Sequence, residues 1–334
     1  MCTFGRGAPA RRRRLFRLQA RADRRGSERN RATPDPRLRL PSLRGGRAAS
    51  RTPGRFPIVP ARVKAIPPES ACLDAPLDLA RGDRYRDRVA TARSAIEWTE
   101  ATWNPVTGCS KVSPGCAHCY AETLSRRFGW TRRPWTPENA ETNVRLHRDR
   151  LDQPLRWRRP RMIFVNSMSD LFHELVPLDF IWDVFDVMAE AKAHTFQVLT
   201  KRHERLADLA SLIDWPTNVW IGVSIENNRW VGRADALRSV PAAVRFISAE
   251  PLLGPLDRLD LTGIDWLIAG GESGPRHRPV NEEWIRDLRD RCEANGIAFF
   301  FKQWGGRTSK TGGRVLDGQE WSAMPEPSRR LALV

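Results

Sequence analysis

Three cysteines lie within eleven residues of each other, in the segment GCSKVSPGCAHCY at 108–120. Their spacing is C-x6-C-x2-C, and thiolates at this spacing can reach three irons of a [4Fe–4S] cubane. Because a fourth cysteine is missing, one iron would stay open to chelate a small molecule. The glycines and the proline of the segment let the backbone curl around a bulky inorganic group. The segment predicts an iron–sulfur cluster on Cys109, Cys116 and Cys119.

Structural zinc is the alternative, with His118 or another histidine as the fourth ligand. The C-x2-C pair is common in zinc sites, but such sites normally use two ligand pairs, and no second pair follows downstream. His118 lies between Cys116 and Cys119, a poor position for closing the same tetrahedron. The cluster is therefore favoured over zinc.

The positive charge is concentrated at one end of the chain of 334 residues. The whole chain carries a net charge of +17, and residues 1–93 hold 24 Lys and Arg against 8 Asp and Glu, a net +16. The remainder carries +1, so the overall charge says nothing about what the site binds.

Residues 1–92 are rich in Arg, Pro and Gly and have few apolar residues at any regular spacing. Such a segment cannot bury enough apolar surface to fold, so a disordered N-terminal extension is predicted. Two interpretations stay open. The extension is a basic arm that holds nucleic-acid phosphates, or the translation start is placed too far upstream, with the true start near Val89. The second is favoured because the composition changes abruptly.

The cysteine usage and the hydropathy predict a cytoplasmic protein. Three of the six cysteines are clustered, which favours metal binding in a reducing compartment over a disulfide framework. No apolar run is long enough to span a membrane, and no secretory signal precedes the folded part. We expect no membrane partner.

Short apolar runs alternate with amphipathic stretches after residue 93, which predicts an α/β fold with a parallel sheet. Seven or eight such units suggest a (β/α) barrel of the TIM type, complete or partial, at 93–327, with a tail at 328–334. Helices are expected at Ala121–Phe128, Phe180–Ala193 and Trp284–Asn295, and a hairpin near Arg314–Leu316. The predicted strands are Ile96–Thr99, Met162–Asn166, Phe196–Thr200, Val219–Ser224, Arg245–Ala249, Trp266–Ala269 and Ala298–Phe301, with Val144–Leu146 as an eighth.

Polar residues follow most of these strands, and the cysteine segment follows the first. Active sites of such barrels lie at the carboxyl ends of the strands. We therefore expect the end residues to surround one binding site. The candidates for binding a cofactor are Asn166, Ser167, Ser169, Asp170, Lys201, Ser224, Glu226, Glu250 and Glu272. No catalytic residue is assigned.

Several stretches resemble a phage and bacterial family of radical S-adenosylmethionine (SAM)-like, three-cysteine proteins, which is distantly similar to spore photoproduct lyase. The resemblance covers about residues 94–327. The matching stretches are WNP at 103–105, GC at 108–109, CAHCY at 116–120, SDLF at 169–172, LTKR at 199–202, GVS at 222–224, EPLLG at 250–254, GGESG at 270–274 and FKQWG at 301–305. Two features depart from the radical SAM pattern: the first cysteine gap is six residues rather than three, and the GGE element ends a late strand.

The resemblance implies a [4Fe–4S] cluster that gives one electron to SAM, producing methionine and a 5′-deoxyadenosyl radical. Lys201 and Ser224 would bind the SAM carboxylate, and Asp170 or Glu226 its amino group or ribose. It also implies an electron donor such as a flavodoxin or ferredoxin. The substrate is unidentified, with nucleic acid among the candidates.

Two further functions remain open. The chain is a non-catalytic protein in which zinc or a cluster staples the first loop while the barrel binds nucleic acid or a phage-related protein. Alternatively, the extension is a nucleic-acid-binding arm on an inert barrel.

Overall fold

The structure is a computed structural model that describes residue 94, residues 96–308 and residues 310–326. The predictions for the extension at 1–92 and the tail at 328–334 lie outside these residues. Within the described ranges, no helix has both the length and the apolar character needed to cross a bilayer.

Seven parallel strands form a curled sheet, with strand order following the chain. Within this sheet each strand pairs with the sheet's next strand in chain order. No pairing joins the first strand to the last among the described residues. The sheet is therefore an open, partial barrel, which confirms the α/β class and the partial form of the prediction. Its strands are β1 (Ala101–Trp103), β4 (Met162–Val165), β5 (Thr195–Thr200), β6 (Val219–Ser224), β7 (Val244–Ala249), β8 (Trp266–Gly270) and β9 (Ala298–Gln303).

Two small sheets accompany the main one. β2 (Val106–Thr107) pairs antiparallel with β3 (Arg145–Leu146), and β10 (Val315–Leu316) with β11 (Gln319–Glu320). The second pair is the predicted hairpin. The helices are α1 (Tyr120–Arg127), α2 (Ala140–Asn143), α3 (Leu178–Glu190), α4 (His203–Ala210), α5 (Arg233–Arg238) and α6 (Glu282–Ala294).

The strands divide their apolar residues between two faces, as a period of two requires. In β7, Ile247 and Ala249 join the large core that includes the helices, whereas Phe246 belongs to a separate aromatic cluster on the other face. Trp266 lies at the centre of that cluster, with its ring centroid 5.5 Å from Phe246 and 6.2 Å from Phe300. Because Trp266 begins β8, this cluster fills the amino-terminal end of the partial barrel.

Two predicted strands are wrong. Ile96–Thr99 forms a turn, in which the Thr99 amide donates to the Ile96 carbonyl at 3.3 Å, and the first strand begins at Ala101. The apolar residue responsible is Trp98, which packs 4.8 Å from Phe164 in the aromatic cluster instead of continuing a strand. The proposed eighth strand, Val144–Leu146, is present only as β3, which pairs with β2 and is not part of the main sheet.

The carboxyl ends of the parallel strands meet at one edge, so the loops that follow them come together there. The cysteine segment at 108–120 lies between β1 and α1 and belongs to this edge. Gly108 is held next to the loop after β4 by a bridge to Ser169. The fold therefore brings the cysteines to the edge where the sequence predicted a site.

Close packing inside the partial barrel generates a stability prediction at Gly222. A Cβ added there would lie 2.4 Å from the Phe246 ring, which is fully buried. We expect Gly222→Ala to lower the free energy of unfolding by about 1–3 kcal/mol, the usual cost of overpacking a core. Urea denaturation followed by tryptophan fluorescence measures this change.

Gly232→Ala is the matched control. A Cβ at Gly232 meets nothing within 4 Å, and its φ of −60° suits alanine. This variant should be as stable as the wild type or slightly more stable. Equal stability of the two variants would contradict the packing described for β6 and β7.

Candidate functional site

The cysteine segment is tied to the sheet by its first glycine. Gly108 has φ +81°, and a Cβ there would lie 1.9 Å from the Asn143 carbonyl oxygen, so no other residue fits without moving the backbone. Its amide donates to the Met168 carbonyl at 3.0 Å. A short 3-10 turn, Pro114–Cys116, then reverses the chain before α1 starts after Cys119.

The three cysteines are partly buried and lie within electrostatic range of each other. Cys109 and Cys119 pack against a small cluster formed by Ala121, Trp135 and Met168. Burial raises the pKa of the Cys109 thiol to about 12, and negative charge on Cys116 or Cys119 raises it further, against the lowering effect of Arg202. Burial and Cys116 also raise the pKa of Cys119. Such thiols release their protons only in exchange for a cation.

The described residues contain no group of three or more His, Cys, Asp and Glu arranged around one metal ion. Arg202 donates a hydrogen bond to one of the cysteines, since its Nη1 lies 3.5 Å from the Cys109 Sγ. The site is therefore a set of separate thiols with a neighbouring cation.

Arg202, which follows β5, joins the cysteine segment to two strand ends. Its guanidinium is 6% exposed and donates to Asp170 Oδ2 at 3.2 Å and to both carboxylate oxygens of Glu174 at 3.0 Å. Its other terminal nitrogen donates to the carbonyl and hydroxyl oxygens of Ser110, at 3.1 and 3.0 Å. The sequence placed Arg202 at a strand end but not among the site residues.

Asp170 accepts four hydrogen bonds from the loops after β4 and β5. Oδ1 accepts from the Phe172 amide at 3.0 Å and from Thr200 Oγ1 at 2.7 Å, and Oδ2 accepts from the Lys201 amide at 3.1 Å and from Arg202. Both oxygens are occupied, so in this arrangement Asp170 positions the two strand ends.

His173 extends the same network. Its Nδ1 accepts from the Leu175 amide at 3.1 Å, so Nε2 carries the proton and donates to Ser110 Oγ at 2.9 Å. The side chain is 1% exposed, and burial together with the Arg202 charge lowers the pKa of His173 to about 4. The imidazole is neutral at pH 7.

Glu226, after β6, holds the middle of the cysteine segment. It is fully buried, accepts from Ser113 Oγ at 2.5 Å and pairs with Arg233 Nη1 at 2.9 Å. Lys201 Nζ lies 3.6 Å from the same carboxylate and stays 18% exposed. A Cβ on Gly115 would lie 2.4 Å from Glu226 Oε1, so the glycine allows this approach.

Glu272, after β8, holds the far end of the segment. Its Oε2 lies 3.0 Å from His118 Nδ1, and it pairs with Arg278, whose Nη2 also donates to the Pro114 carbonyl at 3.0 Å. The hydrogen bonds from Arg278 and His118 lower the pKa of Glu272 to about 2 against the opposing effect of its burial. Glu272 is therefore ionised at neutral pH.

The other predicted residues lie around the same edge and make hydrogen bonds with its loops. The Ser167 carbonyl accepts from Tyr120 Oη at 2.7 Å, and Ser169 Oγ donates to the Val106 carbonyl at 2.8 Å. Ser224 is 2% exposed, and its carbonyl accepts from Arg233 at 2.6 Å.

Two of the predicted site residues have a buried polar atom without a hydrogen-bond partner in the part of the chain that the structure describes. Asn166 has φ +61° and accepts from the Val106 amide at 3.1 Å, but its Nδ2 has no partner. Glu250 Oε2 lies 2.5 Å from Lys302 Nζ, whereas Oε1 has no partner. Buried polar atoms in native proteins are normally paired, with ordered water or a ligand where the protein supplies no partner.

Sequence reasoning considered His118 as a zinc ligand but missed Ser113, whose position within the cysteine segment was the available signal. It also missed two residues that reach the segment from other parts of the chain. Arg233 and Arg278 lie in a helix and a loop far from any cysteine, and no sequence pattern marked them.

The buried, neutral His173 generates a pH prediction. In the unfolded chain a histidine protonates below about pH 6.5, whereas folded His173 stays neutral down to about pH 4. Stability is therefore fully present above pH 6.5 and decreases as the pH falls towards 4, by an amount on the order of 2 kcal/mol. Urea denaturation across this range should show a weaker pH dependence for His173→Gln than for the wild type. Parallel curves would contradict the environment described for His173.

Comparisons with solved structures return variants and complexes of one protein. The chain is similar to a cysteine-to-serine variant of spore photoproduct lyase, with 17% identity and a TM-score of 0.37, over 63% of this chain and 67% of that chain. It is similar to a double variant of that lyase with bound AdoMet and dinucleoside spore photoproduct, with 15% identity and a TM-score of 0.38, over 73% and 67%. For the lyase complexed with dinucleoside spore photoproduct the values are 16% and 0.34, over 69% and 72%.

No curated protein matches the chain in a sequence comparison. Residues 93–325 match a protein family described as a protein of unknown function, DUF5131. The match covers well over half of the 334 residues, and the chain therefore belongs to the DUF5131 family.

Proposed function

We propose that the protein is a radical SAM-type enzyme whose cluster is bound by Cys109, Cys116 and Cys119. The observation that carries this proposal is the position of three cysteines in one segment at the carboxyl edge of a parallel sheet, with Cys109 and Cys119 packed against the same small cluster. Three ligands leave one iron of a [4Fe–4S] cluster free for a small molecule.

The donor set fits a cluster better than a single ion. Each thiolate of a cubane binds its own iron, so the sulfurs do not have to surround one point. Arg202, 3.5 Å from the Cys109 sulfur, supplies the N–H donor and positive charge that tune such a cluster.

The residues around the thiols suit SAM. Lys201 is partly exposed and would face the SAM carboxylate. Glu226 holds the ammonium group of Lys201 in place. The unpartnered Asn166 Nδ2 and Glu250 Oε1 offer a donor and an acceptor to the rest of the molecule. Asp170 would act by positioning Lys201 and Arg202. When bound, the cluster would supply the electron that cleaves the sulfonium.

The partners follow from this chemistry. A reductant such as a flavodoxin or ferredoxin would deliver the electron, and nucleic acid is the candidate substrate. Cytoplasmic location and a phage association are part of the same proposal.

Zinc in a non-catalytic protein is the second candidate, and one observation favours it. His118 Nδ1 lies 3.0 Å from the Glu272 carboxylate, the arrangement that orients a histidine whose other nitrogen binds a metal. Metal analysis separates the candidates: iron with acid-labile sulfide supports the enzyme, and one zinc per chain supports the alternative.

The first prediction concerns cluster loading. After anaerobic reconstitution, Cys109→Ala, Cys116→Ala and Cys119→Ala should each lose most of the iron, the acid-labile sulfide and the visible absorption, because each removes one of three ligands. Cys292→Ala is the matched control, since Cys292 is buried in the core on α6 and should not affect loading. Full loading of the three variants would contradict the assignment.

The second prediction concerns SAM. The reduced, loaded wild type should produce 5′-deoxyadenosine, and Lys201→Gln should raise KM for SAM roughly tenfold, the effect of losing about 1.4 kcal/mol of a charged contact. Chromatography quantifies the product, and iron content checks that the cluster is intact.

Lys111→Gln is the control for this experiment, because Lys111 pairs with Glu122 at 2.9 Å rather than with Glu226. It should keep the wild-type KM. A loaded wild type that makes no 5′-deoxyadenosine rules out the enzyme.

A further inference from the structure

Residues 126–133, here called the arginine loop, read RRFGWTRR and carry four positive charges with no acid. The chain after residue 93 has a net charge of only +1, so this is a local concentration. Arg126, Arg127, Arg132 and Arg133 are all exposed.

No ion pair joins these four arginines to any residue that the structure describes, whereas the arginines of α6 pair with acids at 2.5–3.1 Å. Arg126 and Arg127 lie in the last turn of α1, where positive charge stabilises the helix end. Arg132 and Arg133 follow the helix and gain nothing from it. Four unpaired like charges repel each other, so their clustering favours an anionic partner.

Two aromatic rings lie between the arginine pairs. Phe128 is 37% exposed, with its ring centroid 5.3 Å from that of Trp130 and an interplanar angle of 31°. The Arg127 guanidinium lies 5.9 Å from the Phe128 centroid. Aromatic rings for stacking combined with guanidinium groups for phosphates are the features of proteins that bind single-stranded nucleic acid.

The arginine loop adjoins the candidate metal site. Trp130 packs against the small cluster that also contacts Cys109 and Cys119. The Trp135 carbonyl, just after the loop, accepts from the Lys111 amide at 3.2 Å. A strand lying on the arginine loop would therefore pass beside the cysteine segment.

We propose that the arginine loop binds single-stranded nucleic acid, with the arginines on the phosphates and Phe128 stacked on a base. The bound strand is then the substrate of the radical chemistry, a conclusion that rests on the proposed function. The binding itself does not depend on it.

The test is photo-crosslinking of the full chain to oligonucleotides that carry 5-bromouracil. Their length of about 15 nucleotides is near the upper limit of known site sizes. One set is DNA and the other is RNA, which distinguishes the two sources of the same backbone chemistry. Peptide mapping should find crosslinks at Phe128 or Trp130. Mapping is needed because residues 1–93 carry a net +16 and also attract phosphates.

Arg132→Ser/Arg133→Ser is the decisive variant, because both positions lie outside α1. The crosslink yield at Phe128 or Trp130 should fall at least about fivefold, because one phosphate contact raises the affinity by about this factor near 0.1 M salt. The control is Arg158→Ser/Arg159→Ser, which removes the same charge from two exposed arginines before β4 that form no ion pair with any described residue. It should keep the wild-type yield.

Three results overturn the proposal: crosslinks confined to residues 1–93, equal yields in the two double variants, or slower reduction of Arg132→Ser/Arg133→Ser by flavodoxin with unchanged crosslinking. The last would make the loop a docking surface for an acidic electron donor.

Cluster loading and SAM cleavage without nucleic acid should be unchanged in Arg132→Ser/Arg133→Ser, which keeps the two proposals separable. Crosslinks in a wild type that binds no cluster would remove the proposed function and leave the binding surface. A loaded, SAM-cleaving protein without crosslinks in the loop would do the reverse.

Discussion

The buried ion pair between Arg202 and Asp170 is the constraint on which the geometry of the site depends. Both residues are 6% exposed, so neither charge is stabilised by water. Removing one partner of such a pair typically costs about 3–5 kcal/mol, because the other charge remains buried. The pair is stabilised by further hydrogen bonds. Asp170 accepts from Thr200 and from the Lys201 amide, and Arg202 donates to Glu174. Arg202 then transmits this fixed position to Ser110 and Cys109.

Two further acids fix the rest of the cysteine segment. Glu226 binds Ser113 in its middle, and Glu272 binds His118 directly and the Pro114 carbonyl through Arg278. The segment is thus held by loops from four strands of the sheet. A site held before a ligand arrives loses less conformational entropy when the ligand binds, and its atoms stay close to the reactive geometry. Lys201 remains 18% exposed, and one atom each of Asn166 and Glu250 has no partner among the described residues.

The sequence predicted the interior strands well because they are buried on both faces. A run such as Val219–Ser224 is apolar without interruption and is observed with the predicted limits. The prediction of the first strand failed because Ile96 and Trp98 alternate with polar residues as in a half-buried strand, yet Trp98 fills the end of the partial barrel. The hydrophobic pattern predicts that a residue is buried but not which residues it packs against. The sequence also did not decide whether the barrel is complete or partial. Pairing between the first and last strands depends on the curvature of the whole sheet.

The sequence by itself determined the three thiols, their spacing and their position after the first strand, because ligand type and loop position are local properties. It also determined that polar residues end the parallel strands. Only the tertiary structure decided which of those residues are already engaged. Asp170, Glu226 and Glu272 pair with cations, while one oxygen of Glu250 has no partner within the described part of the chain. Arg233 and Arg278 entered the site in the same way. Their partners are distant in the chain or lie on other loops, so their roles depend on contacts that form only when the sheet curls.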